Sequence, residues 1–460
     1  MLSLHDTATG RVEALELRDP GRVSMYVCGP TVYDVPHLGH GRFSLVFDVI
    51  RRYLEFSGLE VRYCSNITDI DDKIIQKAAA EGRTQAEVAD QFEAVWWEAM
   101  DALGVKRPDD TPHATDWVPQ MVELVADLVA RGAAYETSDG VYLSVEGVEG
   151  YGLLGHQSLD SLRSGARVEI DEEKRSPLDF AVWKKVKPGE PSWEAPFGAG
   201  RPGWHTECVV MSLGLLGEGF DLHGGGADLA FPHHENERAQ AVVLGRAFAR
   251  HWVHNGWVVV EGEKMSKSLG NFTSLTDLLA RADARAYRLL VLRAHYRSPI
   301  EVNGDSVGQA VESLERLDNL ARRLGLPADL AGVDSAGAVA AGADPDALAA
   351  FVEAMDEDLQ TARALAGIFD LVTRANIAAD AGEEAEATRV GTTVAVLCGA
   401  LGLPLGGAPD DIDPETAALV AERNEARTSR DFPRADAIRV ELEARGWIVM
   451  DGPEGTAIHR

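Results

Sequence analysis

The chain has 460 residues, of which 74 are acidic and 44 basic, giving a formal net charge of −30. That length predicts two to four domains with ample core, and the acidity argues against a general affinity for nucleic acid. No run of about 18 apolar residues could span a bilayer, no N-terminal stretch resembles a signal peptide, and four widely spaced cysteines fit a reducing cytoplasm better than a disulfide framework.

In chain order, the apolar run 23–27 predicts a buried strand, ended by Cys28, Gly29 and Pro30. His37-Leu38-Gly39-His40 then opens a helix through Phe43, Val46, Phe47, Ile50 and Leu54. A strand at 59–64 and helices at 71–81 and 85–103 complete the first half of a doubly wound nucleotide fold. Residues 105–199, with Pro108, Pro112 and Pro119, a short strand at 141–145 and a charged loop at 171–175, predict an insertion. The alternation resumes after Gly203: a helix through Cys208 and Met211, a strand at 220–222, a helix from His233 and a strand at 257–260. Amphipathic helices follow at 276–295 and 305–324. Residues 326–345, rich in Ala, Gly and Asp, predict a linker. Helical pattern returns at 346–382 and 386–402, breaks at 404–414, and resumes at 416–445 before a β-like segment at 447–450. There is no internal repeat. The expected division is 1–270, catalytic with its insertion; 271–325, a helical connector; 346–402, a helical domain; and 412–460, a small C-terminal domain.

A strand, a tight turn and a helix N-terminus form an anion site, because unpaired N–H groups and the helix dipole converge on one spot. Two imidazoles three residues apart there, His37 and His40, can both donate to a phosphate. Gly39 lets a flat ring approach the backbone. Taken alone, such a motif is equally a plain helix start. Far downstream lies Lys264-Met265-Ser266-Lys267-Ser268. Only nine of the 44 basic residues are lysines, so two within four residues stand out from composition. With both motifs present, the sequence resembles a class I aminoacyl-tRNA synthetase.

Cys28, Cys208, His233 and Glu237 supply two thiols, an imidazole and a carboxylate, the donor types of a tetrahedral zinc site. Their spacing is no zinc signature, and free cysteines are commonly small buried hydrophobes. Position by position, however, they match the ligands of the cysteinyl-tRNA synthetase family. Asn66-Ile-Thr-Asp-Ile-Asp-Asp-Lys73, Gly200-Arg-Pro-Gly-Trp-His-Thr-Glu-Cys208 and the segment from His223 to Glu237 resemble that family too.

The resemblance implies an α/β, Rossmann-type catalytic domain with an insertion, then a helical domain and a small C-terminal α+β anticodon-binding domain. It implies ATP, L-cysteine and tRNA(Cys) as substrates, one Zn2+ per chain, Mg2+ with ATP, a monomer, and no membrane. His37, Gly39, His40, Lys264 and Lys267 would bind ATP, with the two histidines and two lysines catalytic. Gly29, Thr68, Trp204, His223 and Asp228 would line the cysteine pocket, with Asp228 on the ammonium group. Read alone, Trp204 suits a core and Thr68 a helix cap. His205 and His234, beside presumed ligands, point to outer hydrogen bonds. Six arginines between 423 and 445 are formally cancelled by six nearby acids. Of this end, Arg427, Phe432 and Asp451 would grip the anticodon, with Trp447 either stacking on a base or packing in a core.

Two rival readings remain at this stage. A paralogous cysteine ligase of mycothiol biosynthesis would pass cysteine to glucosaminyl-inositol, and a non-catalytic relic would only bind RNA or zinc. The pattern at 163–175 and the extension past 410 favour the synthetase.

Overall fold

Strand Arg22–Val27 has five of its six residues buried. Strands covered on both faces show a continuous apolar run rather than alternation. This strand pairs in parallel with Glu60–Ser65 on one side and Leu222–Gly226 on the other, and His251–Asn255 lies outside the latter. The computed structural model describes residues 2–159, 161–162, 173–259, 274–327, 330, 332–406, 413–445, 447–452 and 455–459.

This order puts the first strand between the second and the third. Ligands of open parallel sheets bind beyond the carboxyl ends of the strands at such a switch point. Cys28, Asn66, Thr68 and Asp228 all follow those ends. Met25 and Val27 face a core that runs through helix Leu38–Phe56 into the C-terminal helices as far as Leu405. Tyr26 and Cys28 face a second core shared with the insertion. The α/β architecture, the insertion, the helical region and the C-terminal α+β unit are as the sequence predicts.

The insertion folds as an antiparallel sheet of Ala134–Glu136, Gly140–Leu143, Phe180–Lys185 and Gly200–Pro202. The third parallel strand begins at Leu222, so the expectation of 220–222 starts too early; Phe220 packs in the core just ahead of it. Strand His251–Asn255 was not expected. Its two histidines and asparagine disguise a strand that is buried throughout. The expected strand at 257–260 reduces, among the described residues, to Val258–Val259, paired with Ile300–Glu301.

Three helical stretches are also interrupted. The span 276–295 divides into Leu275–Leu279 and Ala284–Leu292, where Asp283 caps the second helix. The span 346–382 divides into Pro345–Asp356 and Thr361–Asp380, with Asp358 at φ 52° and Leu359 at φ 53°. No glycine announces that turn. Tertiary contacts hold it: the Asp358 carboxylate accepts from His5 N, Tyr296 Oη and Arg297 Nε. Positive-φ residues persist where the surroundings overdetermine them. The tail divides into Pro414–Thr428 and Phe432–Ala444 around Arg430 at φ 62°. The 326–345 stretch holds a short helix, Ser335–Ala340, whose Ala338 is buried.

The C-terminal unit adds a hairpin, Ile448–Gly452 with Gly455–His459. Ile438, Leu442, Trp447 and Val449 form its core. Trp447 therefore packs inward, while Phe432 is 59% exposed. Among the described residues no helix is long and apolar enough to cross a membrane.

Candidate active site and metal centre

The turn after the central strand needs a glycine. A Cβ on Gly29 would sit 1.7 Å from the Asn66 carbonyl oxygen. Its N–H donates to Asn66 Oδ1 at 3.0 Å, which fixes the turn against the neighbouring strand's end. Helix Leu38–Phe56 then starts with an unusual cap. His37 Nδ1 accepts from His40 N at 3.2 Å, and His40 Nδ1 accepts from His37 N at 3.3 Å. The rings stack with centroids 3.6 Å apart and planes 14° apart. An imidazole whose Nδ1 accepts carries its proton on Nε2, so the reciprocal cap sets both tautomers.

Burial, then the neighbouring His37 and Lys73 charges, pulls His40 down to about 3. Burial lowers His37 too, against the opposing pull of Asp228. Both rings are thus neutral N–H donors at pH 7. A Cβ on Gly39 would lie 3.0 Å from the His37 ring. The glycine makes room for that imidazole.

The second constellation lies beneath. Cys28 Sγ is 3.4 Å from Cys208 Sγ and 3.4 Å from Glu237 Oε1. Cys208 Sγ is 3.7 Å from His233 Nε2, which is 3.0 Å from Glu237 Oε1. All four residues are buried, both cysteines are free, and the four donor atoms lie within 4.8 Å of one another. Donors 2.0–2.3 Å from a tetrahedral zinc would be separated by roughly 3.3–3.8 Å. The donor set therefore fits zinc in both chemistry and size.

Two further imidazoles orient these donors. His223 Nε2 lies 2.7 Å from Glu237 Oε2, and His205 Nδ1 lies 2.9 Å from His233 Nδ1. Such outer partners fix ligand tautomer and orientation. His223 and His234 form a second close group with Cys28 and Glu237. In that group His223 holds the outer carboxylate oxygen, and His234 Nδ1 is engaged 2.8 Å from His254 Nε2.

Charge is distributed unevenly over the cluster. Burial pushes Cys208 up, but hydrogen bonds from Cys28 and His233 bring it down to about 6. Burial and the Cys208 neighbour hold the Cys28 thiol well above its usual range. Burial would lower His233, yet Glu237 and Cys208 raise it to about 10. Burial would raise Glu237, and His223 and His233 hold it well below the usual carboxylate range.

Between the two constellations opens a cavity of about 570 Å³, lined by Cys28, Gly29, His37, Gly39, His40, Trp204 and Asp228 among others. Trp204 is 37% exposed and stacks on His233 at 4.0 Å, so it is a wall of the cavity and no core residue. Asp228 is exposed there. Thr68 and His223 are not on that wall; both are buried behind it. Thr68 does not cap a helix: Asp71 caps Asp72–Glu81, and Thr68 Oγ1 donates to Glu207 Oε2 at 2.9 Å.

Sequence reasoning missed Glu207, Asn66, Tyr33, Lys73 and Trp257. Glu207 is fully buried, and burial with the adjacent Cys208 pushes its carboxyl well up. Its place between the presumed ligand Cys208 and Trp204 was the available signal. Lys73 and Trp257 line the cavity. Lys264 and Lys267 lie outside the described residues.

At the C-terminal end, the expected arginine cluster is largely neutralised. Arg434 pairs with Glu422, Arg439 with Glu443, and Arg445 with Glu415 and Glu441. Arg423 is buried against Thr456. Arg427 is half-buried on Pro414–Thr428, and Asp451 pairs through its backbone with Thr456.

A parallel sheet with a histidine-capped helix at its switch point is the nucleotide fold of class I aminoacyl-tRNA synthetases. The family profile described as "tRNA synthetases class I (C) catalytic domain" matches residues 14–312. A DALR domain matches 350–406, and a "Cysteinyl-tRNA ligase anticodon binding domain" matches 409–458. The chain is 47% identical over 472 residues to the cysteine–tRNA ligase of Alkalilimnicola ehrlichii and 46% identical over 470 to that of Halorhodospira halophila, covering 100% of both chains in each case. It belongs to the cysteinyl-tRNA synthetase family. Among solved structures, methionyl-tRNA synthetase of Mycobacterium tuberculosis bound to methionyl-adenylate has the same fold, with TM-score 0.58, 18% identity, and coverage of 90% of this chain and 96% of that one.

Proposed function

We propose that this chain activates L-cysteine with ATP in the switch-point cavity and passes the cysteinyl group to tRNA(Cys). The observation that carries this reading is the buried set of two thiols, an imidazole and a carboxylate, whose Cys28 lines the same cavity as a histidine-capped helix start. The cysteine carboxylate attacks the α-phosphorus of ATP, the bond to the bridging oxygen breaks, and pyrophosphate leaves. The nucleophile is already an anion, so no general base is required. Such chemistry depends on positioning and charge stabilisation. His37 and His40 donate uncharged N–H groups to the phosphates, Gly39 admits the nucleotide, and Lys264 and Lys267 neutralise the departing pyrophosphate, which travels with Mg2+. A ribose hydroxyl of the tRNA 3′ adenosine then attacks the cysteinyl carbonyl, and AMP leaves.

Cys28, Cys208, His233 and Glu237 would hold one zinc ion. When bound, zinc supplies a soft centre that prefers a thiolate to a hydroxyl, a distinction between cysteine and serine that an ordinary pocket makes poorly. Asp228 receives the substrate ammonium, and Gly29 and Trp204 wall its small side chain. Thr68 acts from behind through Glu207, and His223 through Glu237.

Residues 1–270 form the catalytic unit with its insertion at 105–199, 271–325 the connector, 346–402 the helical tRNA-binding part and 412–460 the anticodon end. There Arg427 meets phosphate, Phe432 stacks on a base, and Asp451 accepts from a base edge. The four free, buried cysteines suit a reducing cytoplasm, and by resemblance the enzyme acts as a monomer.

Two assays test the reading together. The full chain should support cysteine-dependent ATP–pyrophosphate exchange and should charge tRNA bearing a GCA anticodon. Removal of 412–460 should spare exchange and abolish most charging. Normal charging by the shortened protein would refute the anticodon assignment. Transfer of cysteine to glucosaminyl-inositol in place of tRNA would refute the synthetase reading.

A further inference from the structure

The helix that begins with the imidazole pair also carries a buried cation that the reaction above leaves unused. Arg42 is 1% exposed. Its guanidinium donates to four backbone carbonyls, those of Trp257, His295, Tyr296 and Ser298. Among the described residues no carboxylate pairs with it. Burial lowers it to about 10, with only Tyr287 opposing. A buried cation held by dipoles alone is a poor source of stability. Its planar fork is instead well suited to fixing the relative position of several acceptors.

The four carbonyls come from two segments. Trp257 precedes Val258–Val259, the last described strand before the segment that carries Lys264 and Lys267. His295, Tyr296 and Ser298 belong to the turn before Ile300–Glu301, the partner of Val258–Val259. The two segments are joined tightly. Gly256 N donates to Tyr296 O at 2.8 Å, and Ile300 N donates to Trp257 O at 2.9 Å. A Cβ on Gly256 would lie 2.3 Å from the Arg297 carbonyl oxygen. Trp257 and Val258 line the same cavity as His37 and His40.

We propose that Arg42 is a positioning residue for adenylate formation, fixing the root of the segment that bears Lys264 and Lys267 at a set distance from the His37–His40 pair. It rests on the function proposed above. The imidazoles and the lysines must meet on one triphosphate, yet they are far apart in sequence. Arg42 spans the two: it lies two residues after His40, and it grips both Trp257, which leads into the strand before the lysine segment, and the turn that leads into that strand's partner. A misplacement of about 1 Å between reacting groups can cost about 10²-fold in rate.

The test is cysteine-dependent ATP–pyrophosphate exchange by the full chain carrying Arg42→Ala, Arg42→Lys or Gly256→Ala. Arg42→Ala should lower kcat by about 10²-fold while the KM for cysteine and the zinc content stay unchanged. Arg42→Lys keeps the charge but loses the fork, and should recover only part of the rate. Gly256→Ala displaces the same root with Arg42 intact and should reproduce the pattern. If Arg42→Ala does not fold, the other two variants decide. An undiminished kcat overturns the proposal, as does a loss that appears equally in cysteine KM and zinc content, since that marks a merely structural part. A wild-type chain without cysteine-dependent exchange would instead sink the proposed function, a separable result.

Discussion

The helix start and the donor cluster use the same side chain to opposite ends. At the helix start His37 is exposed and His40 half-buried, and both line the cavity, whereas His233 of the cluster is buried behind Trp204, which stacks on it. At the helix start the imidazoles face one another and Lys73, and His40 falls to about 3. In the cluster Glu237 and Cys208 face His233 and raise it to about 10. Burial works against the charged form in both places. His233 rises because Glu237 and Cys208 both contact its ring, whereas the Asp228 pull on His37 does not offset burial. The first arrangement yields neutral N–H donors, suited to an anion without any proton adjustment. The second yields a concentrated set of proton-binding groups, which is what a divalent cation replaces when it binds.

The comparison can be broken at several points. The largest effect is expected for Cys208→Ser, which removes a soft donor. Zinc affinity should fall by more than the roughly 10- to 100-fold typical of an outer partner, and cysteine activation should fall with it, measured by metal analysis and exchange. A metal-free variant of full activity would remove zinc from the account. Next comes His40→Ala, which should cut adenylate formation by about 10²- to 10³-fold, the usual cost of one preorganised donor. Zinc content should not change, because the cluster is independent of the cap. Lys267→Ala should cut exchange by a similar roughly 10²- to 10³-fold with folding intact; an unimpaired rate would show that the lysine takes no part.

Smaller effects sharpen the same contrast. His205→Phe should weaken zinc binding by about 10- to 100-fold through His233 alone, leaving ATP affinity untouched. The smallest effect is on stability. A histidine whose folded pKa is depressed costs nothing above its unfolded value near 6.5, where both states are neutral. As pH falls below that value the unfolded chain takes up a proton that folded His40 refuses, so stability declines toward its folded value of about 3. His40→Asn should flatten the decline by at most about 1.4 kcal/mol per pH unit, read from denaturation midpoints between about pH 6.5 and 4.5. Equal acid sensitivity of the two proteins would contradict the neutral-donor assignment.

Much of this was legible before folding. An apolar run, a Cys-Gly-Pro stop and a histidine-bearing helix start are local signals, and strand Arg22–Val27 and helix Leu38–Phe56 followed them closely. The interruptions at Asp358 and Arg430 were not legible, since neither residue is a glycine and the first turn is held by His5 and Tyr296 from elsewhere in the chain. Strand His251–Asn255 was hidden because its polar side chains find partners only in the assembled core: His254 meets Thr7 and His234.

The sequence by itself determined which donors exist, two thiols, an imidazole and a carboxylate, and that a histidine-bearing helix start follows the first strand. Those are facts of residue type and short-range pattern. Tertiary structure alone decided what each side chain faces. Sheet order brought Cys28 to Cys208 across 180 residues and to Glu237 across 209. It turned Thr68 from a helix cap to Glu207, placed Trp204 on the cavity wall, and set Arg42 across the root of a distant segment. The reason is physical: backbone preference acts over a few residues, whereas burial, hydrogen-bond partners and charge shifts depend on neighbours that only the packed strand order supplies.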